Sequence, residues 1–288
     1  MSAIHFSTTE PLKPSKFLLL GIATGLMLLQ LHLAWRSKST DLFTTSLLFW
    51  SAACFGVWKK HQTLSLKTGT LSSLCGTLII TFVLLRSSSP SITFPYVSPT
   101  LSALGVGLLA SGWQGIKQYR SQLLCLSFLG FYHAILTWPI VDISKFTAKF
   151  AAFILWYLGF KISLQGIHLI LPTGIVEVYL GCSGLKNILE LLGIGILLLA
   201  LFSTSWQQKI LVPVVAIFIG FVVNGLRVAL MAVLSASNNQ PAFEYWHQGH
   251  GSLIFSFVAI LLFWLSCRFG LRLEASATHT HNSLTAEN

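Results

Sequence analysis

The sequence predicts an all-α polytopic membrane protein with about eight transmembrane helices, a small extracytoplasmic amphipathic helix and a β-meander. Three observations carry this. Of 288 residues, 54% are hydrophobic and only 9% are charged. A soluble domain carries roughly 25% charged residues, so a soluble cytosolic globule is excluded. Mean hydropathy is +0.74, which also excludes a disordered chain, since disorder needs low hydrophobicity and high charge. The apolar residues are gathered into runs on the membrane-crossing scale of roughly 20 residues. The five cysteines have no tight spacing, so a disulfide scaffold is not expected.

The runs fall at 17–35, 42–58, 71–85, 101–113, 123–141, 184–202, 210–234 and 252–267. The third and fourth are short. Trp35, Trp58 and Trp113 close three of them, as an aromatic belt at the membrane interface would. The N-terminus does not read as a cleavable signal peptide: its charged region is long and no small-residue cleavage site follows the apolar run. Four regions result: a cytoplasmic segment 1–16, a five-helix membrane region 17–141, a core 142–273, and a polar tail 274–288 that carries His279 and His281.

Eighteen basic residues against eight acidic give a net charge of +10. The cations stand in ones and twos, with no aromatic-basic platform, so no nucleic-acid partner is expected. They mark cytoplasmic loops and contact anionic headgroups. Lys13 and Lys16, then Lys59, Lys60 and Lys67, Lys117 and Arg120, Lys209, and Arg268 and Arg272 follow one side of the membrane. Both termini are then cytoplasmic, and 235–251 lies outside, as does the segment just before Gly184. Residues 142–181 must therefore not cross, or must cross twice. The stretch 143–160 has Lys145 and Lys149 one turn apart, then Trp156 and Tyr157, and reads as an interfacial helix. Residues 161–180 alternate polar and apolar around Gly166 and Pro172-Thr173-Gly174, the pattern of short strands joined by turns. Unpaired strand backbone is not tolerated in hydrocarbon, so this meander belongs on the outer surface, leading to Cys182.

Polar residues near membrane helices are the informative ones. They cluster in the last third: Cys182 and Ser183, Lys186 and Glu190, Asn224 and Arg227, His247 and His250. Cys182 stands at a helix N-terminus, where the dipole favours a thiolate. Gly181 and Gly184 beside it would leave room for a peptide backbone. Cys54, Cys75, Cys125 and Cys267 read as apolar packers. Arg227 in an apolar helix costs roughly 2.5–3.5 kcal/mol and needs a partner. It either holds an oxyanion or forms a buried pair with Glu190. Asn224 is on its face at i−3. Either His247 or His250 is placed to act as a base. His32, His133 and His168 read as isolated structural residues. Thiol, guanidinium and imidazole on three consecutive helices are together the parts of an acyl-transfer site.

These residues resemble the exosortase/archaeosortase family of membrane transpeptidases. The likeness covers about 147–269 and is strongest over 174–255. It rests on an amphipathic FAAFILWYLGF, the turn LPTG, the strand IVEVYL, then Cys182-Ser183-Gly184, then Asn224-Gly225-Leu226-Arg227, then His247 four residues before Gly251. His250 and Ser252 flank that glycine where the family more often has an aromatic residue and a tryptophan. The Trp-His-x-Gly-x-Gly-Ser form is similar to the cyanobacterial branch, the cyanoexosortases. The first 140 residues match only as hydrophobic helices.

The resemblance implies a cysteine transpeptidase or protease in the cell membrane, with its site on the extracytoplasmic side. It would cleave C-terminal sorting signals of exported proteins (a motif such as Pro-Glu-Pro, an apolar helix and a basic tail) and transfer the protein to a surface acceptor. It implies Cys182 as nucleophile, Arg227 as oxyanion stabiliser and His247 as proton carrier, with His250 as the alternative. It implies no metal and no organic cofactor. Two other readings stay open. A rhomboid-like serine protease would use Ser183 of Gly181-Cys182-Ser183-Gly184. A transporter would use Glu190 and Arg227 as a pathway or structural pair.

Overall fold

The computed structural model describes residues 14–138, 141–202, 204–247 and 249–270. The segment expected at 1–16 lies almost wholly, and the tail at 274–288 wholly, outside the described residues. The chain divides into two compact units, 1–133 and 134–288.

The first unit holds α1 (Pro14–Arg36), α2 (Thr40–Lys59), α3 (Thr70–Ser87), α4 (Phe94–Gly115) and most of α5 (Arg120–Thr137). The largest departure from the sequence reading is α4, which starts seven residues before the expected 101. Pro95 sits in its first turn, where a missing N–H costs nothing. Pro99 lies inside the helix and cannot donate to the carbonyl of Pro95 one turn back. Gln30 of α1 supplies that donor: its Nε2 donates to the Pro95 carbonyl at 3.1 Å and to Ser46 Oγ of α2 at 3.0 Å. Its Oε1 accepts from Trp50 Nε1 at 3.0 Å. Gln30 is 1% exposed, so it ties α1, α2 and α4 together in a fully paired network. An uncharged amide inside an apolar run carries no sequence signal of this.

Residues 94–137 form one apolar stretch of 44 residues, twice what a single crossing of about 20 residues uses. It is broken at Gly112 (φ 65, ψ −173), and a 3-10 turn, Ile116–Tyr119, leads into α5. Six stretches among the described residues are long and apolar enough to cross a membrane. Dividing 94–137 at this break, and adding the 17-residue α7 (Leu185–Leu201), gives the eight of the sequence reading. At 1.5 Å per residue α7 spans about 26 Å, close to the roughly 30 Å hydrocarbon core.

The second unit holds α6 (Ser144–Tyr157), β1 (Ser163–Gln165), β2 (His168–Leu171), β3 (Gly174–Glu177), α7 (Leu185–Leu201), α8 (Trp206–Ala236), α9 (Gln240–His247) and α10 (Gly251–Leu265). The sequence reading treats 235–251 as a loop, and α9 is therefore a correction. Pro241 in its first turn and Asn239, whose Oδ1 accepts from Ala242 N at 3.2 Å, start a helix too short for a periodicity scan to register.

The α6 helix is two-faced as expected. Thr147, Ala148, Ala151 and Leu155 are buried, while Phe146, Phe153, Trp156 and Tyr157 are exposed. Its buried face joins Leu169 and Leu171 of β2, Val178, and Val228, Ala229 and Ala232 of α8 in one core, against which Cys182 packs. A second core joins Leu191 of α7, Val212, Ala216, Ile219 and Val223 of α8, and Ala259 and Phe263 of α10. The long α8 is thus the spine of this unit.

The strands form an antiparallel meander in the order β1-β2-β3. Its registers are Gln165↔His168 and Leu171↔Gly174 at the two turns, each a two-residue loop. Val178 N donates to the Ile167 carbonyl at 2.9 Å. Bonded pairs alternate along an antiparallel ladder, so Gly174, Val176 and Val178 face β2 with their backbone groups. His168, read as isolated, faces Glu177 across the sheet at 3.9 Å. His133 instead stacks on Tyr96 with ring centroids 3.9 Å apart.

Candidate active site

Cys182 ends a 3-10 turn, Leu180–Cys182, between the sheet and α7. Two backbone bonds shape it: Cys182 N donates to the Tyr179 carbonyl at 2.9 Å and Ser183 N to the Leu180 carbonyl at 3.2 Å. Gly184 then caps α7 with φ +90, a left-handed conformation that costs a side-chain-bearing residue about 1–2 kcal/mol. The space beside the two glycines is taken by the protein itself, which corrects the expectation that it awaits a substrate backbone. A Cβ on Gly181 would stand 2.6 Å from the Tyr179 ring, and one on Gly184 2.6 Å from Asn224 Nδ2.

The α8 helix positions both sides of the site from one face. Asn224, 2% exposed, donates from Nδ2 to the Cys182 carbonyl at 2.9 Å. One turn on, Arg227 Nη2 donates to the His247 carbonyl at 2.6 Å. That carbonyl ends α9, where the last carbonyls have no intrahelical donor, so the guanidinium both caps α9 and sets its last residue. The resulting distance from Cys182 Sγ to His247 Nε2 is 3.4 Å. Arg227 Nε is buried and, among the described residues, has no hydrogen-bond partner. Glu190, the other partner considered for Arg227, is paired with Lys186 at 3.8 Å on its own helix.

Burial, with the like charge of Arg227 beside it, holds the His247 imidazole below its ordinary pKa. The neutral form, which accepts a proton, is therefore favoured near neutrality. Tyr179 lies beside Cys182, and that neighbour, through hydrogen bonding and the charge the sulfur can carry, together with partial burial, raises the tyrosine pKa against the opposing pull of Arg227. The sulfur thus stands between an imidazole and a phenol.

Ser183 is 0% exposed. Its hydroxyl donates to the Leu180 carbonyl at 2.7 Å and accepts from Leu185 N at 3.3 Å. Its own carbonyl accepts from Thr147 Oγ1 of α6 at 2.6 Å. Ser183 therefore braces the turn. His250 is exposed at the N-cap of α10. The structure brings together Cys182, Arg227 and His247, with Asn224 behind them. Tyr179 and Thr147 are additions that the sequence reading passed over. Tyr179 had one signal available: it lies three residues before Cys182, the spacing of one 3-10 turn.

The described residues hold no group of three or more His, Cys, Asp or Glu side chains suited to a metal ion. The family model described as Transmembrane exosortase (Exosortase_EpsH) matches residues 35–264. The chain belongs to this family, and is a multi-pass membrane protein. No curated protein and no solved structure matches it.

Proposed function

We propose that this protein is a membrane cysteine transpeptidase or protease that cleaves C-terminal sorting signals of exported proteins through a thioester. The observation that carries the reading is the 3.4 Å separation of Cys182 Sγ and His247 Nε2, within hydrogen-bond reach for a sulfur. His247 takes the thiol proton as Sγ attacks the scissile carbonyl carbon. The carbonyl oxygen becomes an oxyanion, which the donors of Arg227 not bonded to His247 stabilise. The oxyanion collapses, the C–N bond breaks, and His247 returns the proton to the leaving amine. A water molecule or a surface acceptor then attacks the thioester and releases the thiol. Tyr179 acts as a donor to the sulfur whenever it is charged.

In this reading the sheet and α9 lie on the extracytoplasmic side and both termini are cytoplasmic, in accord with the distribution of Lys and Arg. The exposed aromatic face of α6 lies in the outer interface. The signal has the sorting form: a short Pro-Glu-Pro-like motif, an apolar helix and a basic tail. The chain's Trp-His-x-Gly-x-Gly-Ser element, Trp246–Ser252, supports the cyanobacterial branch of the family.

The test is co-expression with an exported reporter carrying such a C-terminus, compared on a gel for wild type, Cys182→Ala and Ser183→Ala. Wild type and Ser183→Ala are expected to shorten the reporter, and Cys182→Ala to leave it whole. Equal processing by Cys182→Ala and wild type would remove the thiol mechanism.

A further inference from the structure

Ile175 and Glu177 lie between the residues that bond β2, so their N–H and C=O groups point the other way, to the outer edge of β3. Among the described residues these four groups have no hydrogen-bond partner. Ile175 is 62% exposed. The strand reads Gly-Ile-Val-Glu: it has neither the lysine nor the proline that most often blunts an exposed edge, and Glu177 is its one charge. A cleft of about 170 Å³ runs along it, walled on the far side by Met231, Ser235 and Phe243, and opening on Cys182 and His247.

We propose that this edge is the subsite for the substrate segment on the N-terminal side of the scissile bond, bound as a fourth strand parallel to β3. The proposal rests on the thiol transpeptidase reading above. The direction follows from connectivity. β3 runs towards Cys182, and the acyl carbonyl is the C-terminal end of the bound segment, so both chains run the same way. The other half of the substrate does not fit this role, because the backbone of an apolar helix is already bonded to itself. The added strand gains main-chain hydrogen bonds from Ile175 and Glu177, which read no sequence. Its side chains alternate between the open face beside Ile175 and Glu177 and the cleft beside Met231, Ser235 and Phe243. Only every second residue is therefore selected by shape.

The test uses the full-length protein in lipid nanodiscs and a synthetic peptide with a Pro-Glu-Pro motif, an apolar helix and a basic tail. Single backbone amides on the N-terminal side of the cut are replaced in turn by esters, which removes one donor each. Esters at alternate positions are expected to raise KM about fivefold, the worth of one net hydrogen bond, with kcat unchanged and the intervening positions silent. A uniform effect, or none, overturns the strand. Ile175→Pro removes an outward donor and leaves the bonds to β2 in place. It is expected to raise KM by the same factor, and Ile175→Val, which keeps the donor, to raise it by less. A change of oligomeric state in Ile175→Pro with KM unaltered would assign the edge to a second copy of the chain instead. Cleavage that persists in Cys182→Ala sinks the thiol reading itself, whatever the ester pattern.

Discussion

Replacing Gly184 by alanine tests whether the turn carrying Cys182 is held from α8. Two costs follow from the structure. The residue has φ +90, and an added Cβ there costs about 1–2 kcal/mol. That Cβ would also stand 2.6 Å from Nδ2, 2.7 Å from Cγ and 2.8 Å from Cβ of Asn224. The last of these is the stem of the side chain, so rotating the amide does not relieve the clash. Asn224 must withdraw and release the Cys182 carbonyl, which leaves buried polar groups unpaired at about 1–3 kcal/mol. The sum is roughly 2–5 kcal/mol. Unfolding in mixed detergent micelles, followed by tryptophan fluorescence, measures it. The mechanism is isolated by a double-mutant cycle with Asn224→Gly, which removes the Asn224 Cβ together with its amide. Once that whole side chain is absent the clash disappears, and Gly184→Ala should cost only the backbone part, about 1–2 kcal/mol. Strict additivity of the two substitutions, or a Gly184→Ala cost below about 0.5 kcal/mol, a typical neutral surface change, would refute this account. Reporter cleavage should fall at least tenfold in Gly184→Ala, since the turn that holds the sulfur moves.

Tyr179→Phe removes the hydroxyl placed beside Cys182; as a donor to the charged sulfur it would be worth about 1.5–3 kcal/mol, so kcat/KM should drop about 10–100-fold. Alkylation of Cys182 by iodoacetamide at fixed pH should slow with it, a change that a purely packing role for the ring would not produce. The acid limb of the kcat/KM profile should lie below the ordinary histidine value of about 6.5, because burial and Arg227 lower the His247 pKa and the working base is the neutral ring. As pH falls through that lowered value the ring gains a proton and activity is lost. Arg227→Gln should move the residual acid limb upward, and a limb that stays in place would show that the Arg227 charge does not reach the ring.

Most of the helical framework was legible in the sequence because hydrocarbon enforces it. A backbone in lipid must satisfy its own hydrogen bonds, so each apolar run predicts one helix whatever its neighbours. The meander was legible for a related reason: alternation punctuated by two turn signals, Gly166 and Pro172-Thr173-Gly174, suits short paired strands and breaks any helical period. What escaped were features created by neighbours. The start of α4 depends on Gln30, which comes from another helix to pair with the carbonyl that Pro99 leaves without a donor. The α9 helix depends on an asparagine cap and on the Arg227 bond at its end, and eight residues are too few to show a period.

At the site, the sequence by itself determined the inventory: a cysteine before a helix, an arginine too costly to leave in an apolar run without a partner, and histidines ahead of the last helix. Residue chemistry and local position decide those. It did not determine which histidine meets the thiol, whether Arg227 pairs with Glu190, or that Tyr179 lies beside the sulfur. Those are distances between elements 20 to 65 residues apart, and a tyrosine whose ring folds back over Gly181. Only the packing of α8 against α7 and the sheet sets them, because the same helix face that holds the Cys182 carbonyl through Asn224 also holds the His247 carbonyl through Arg227.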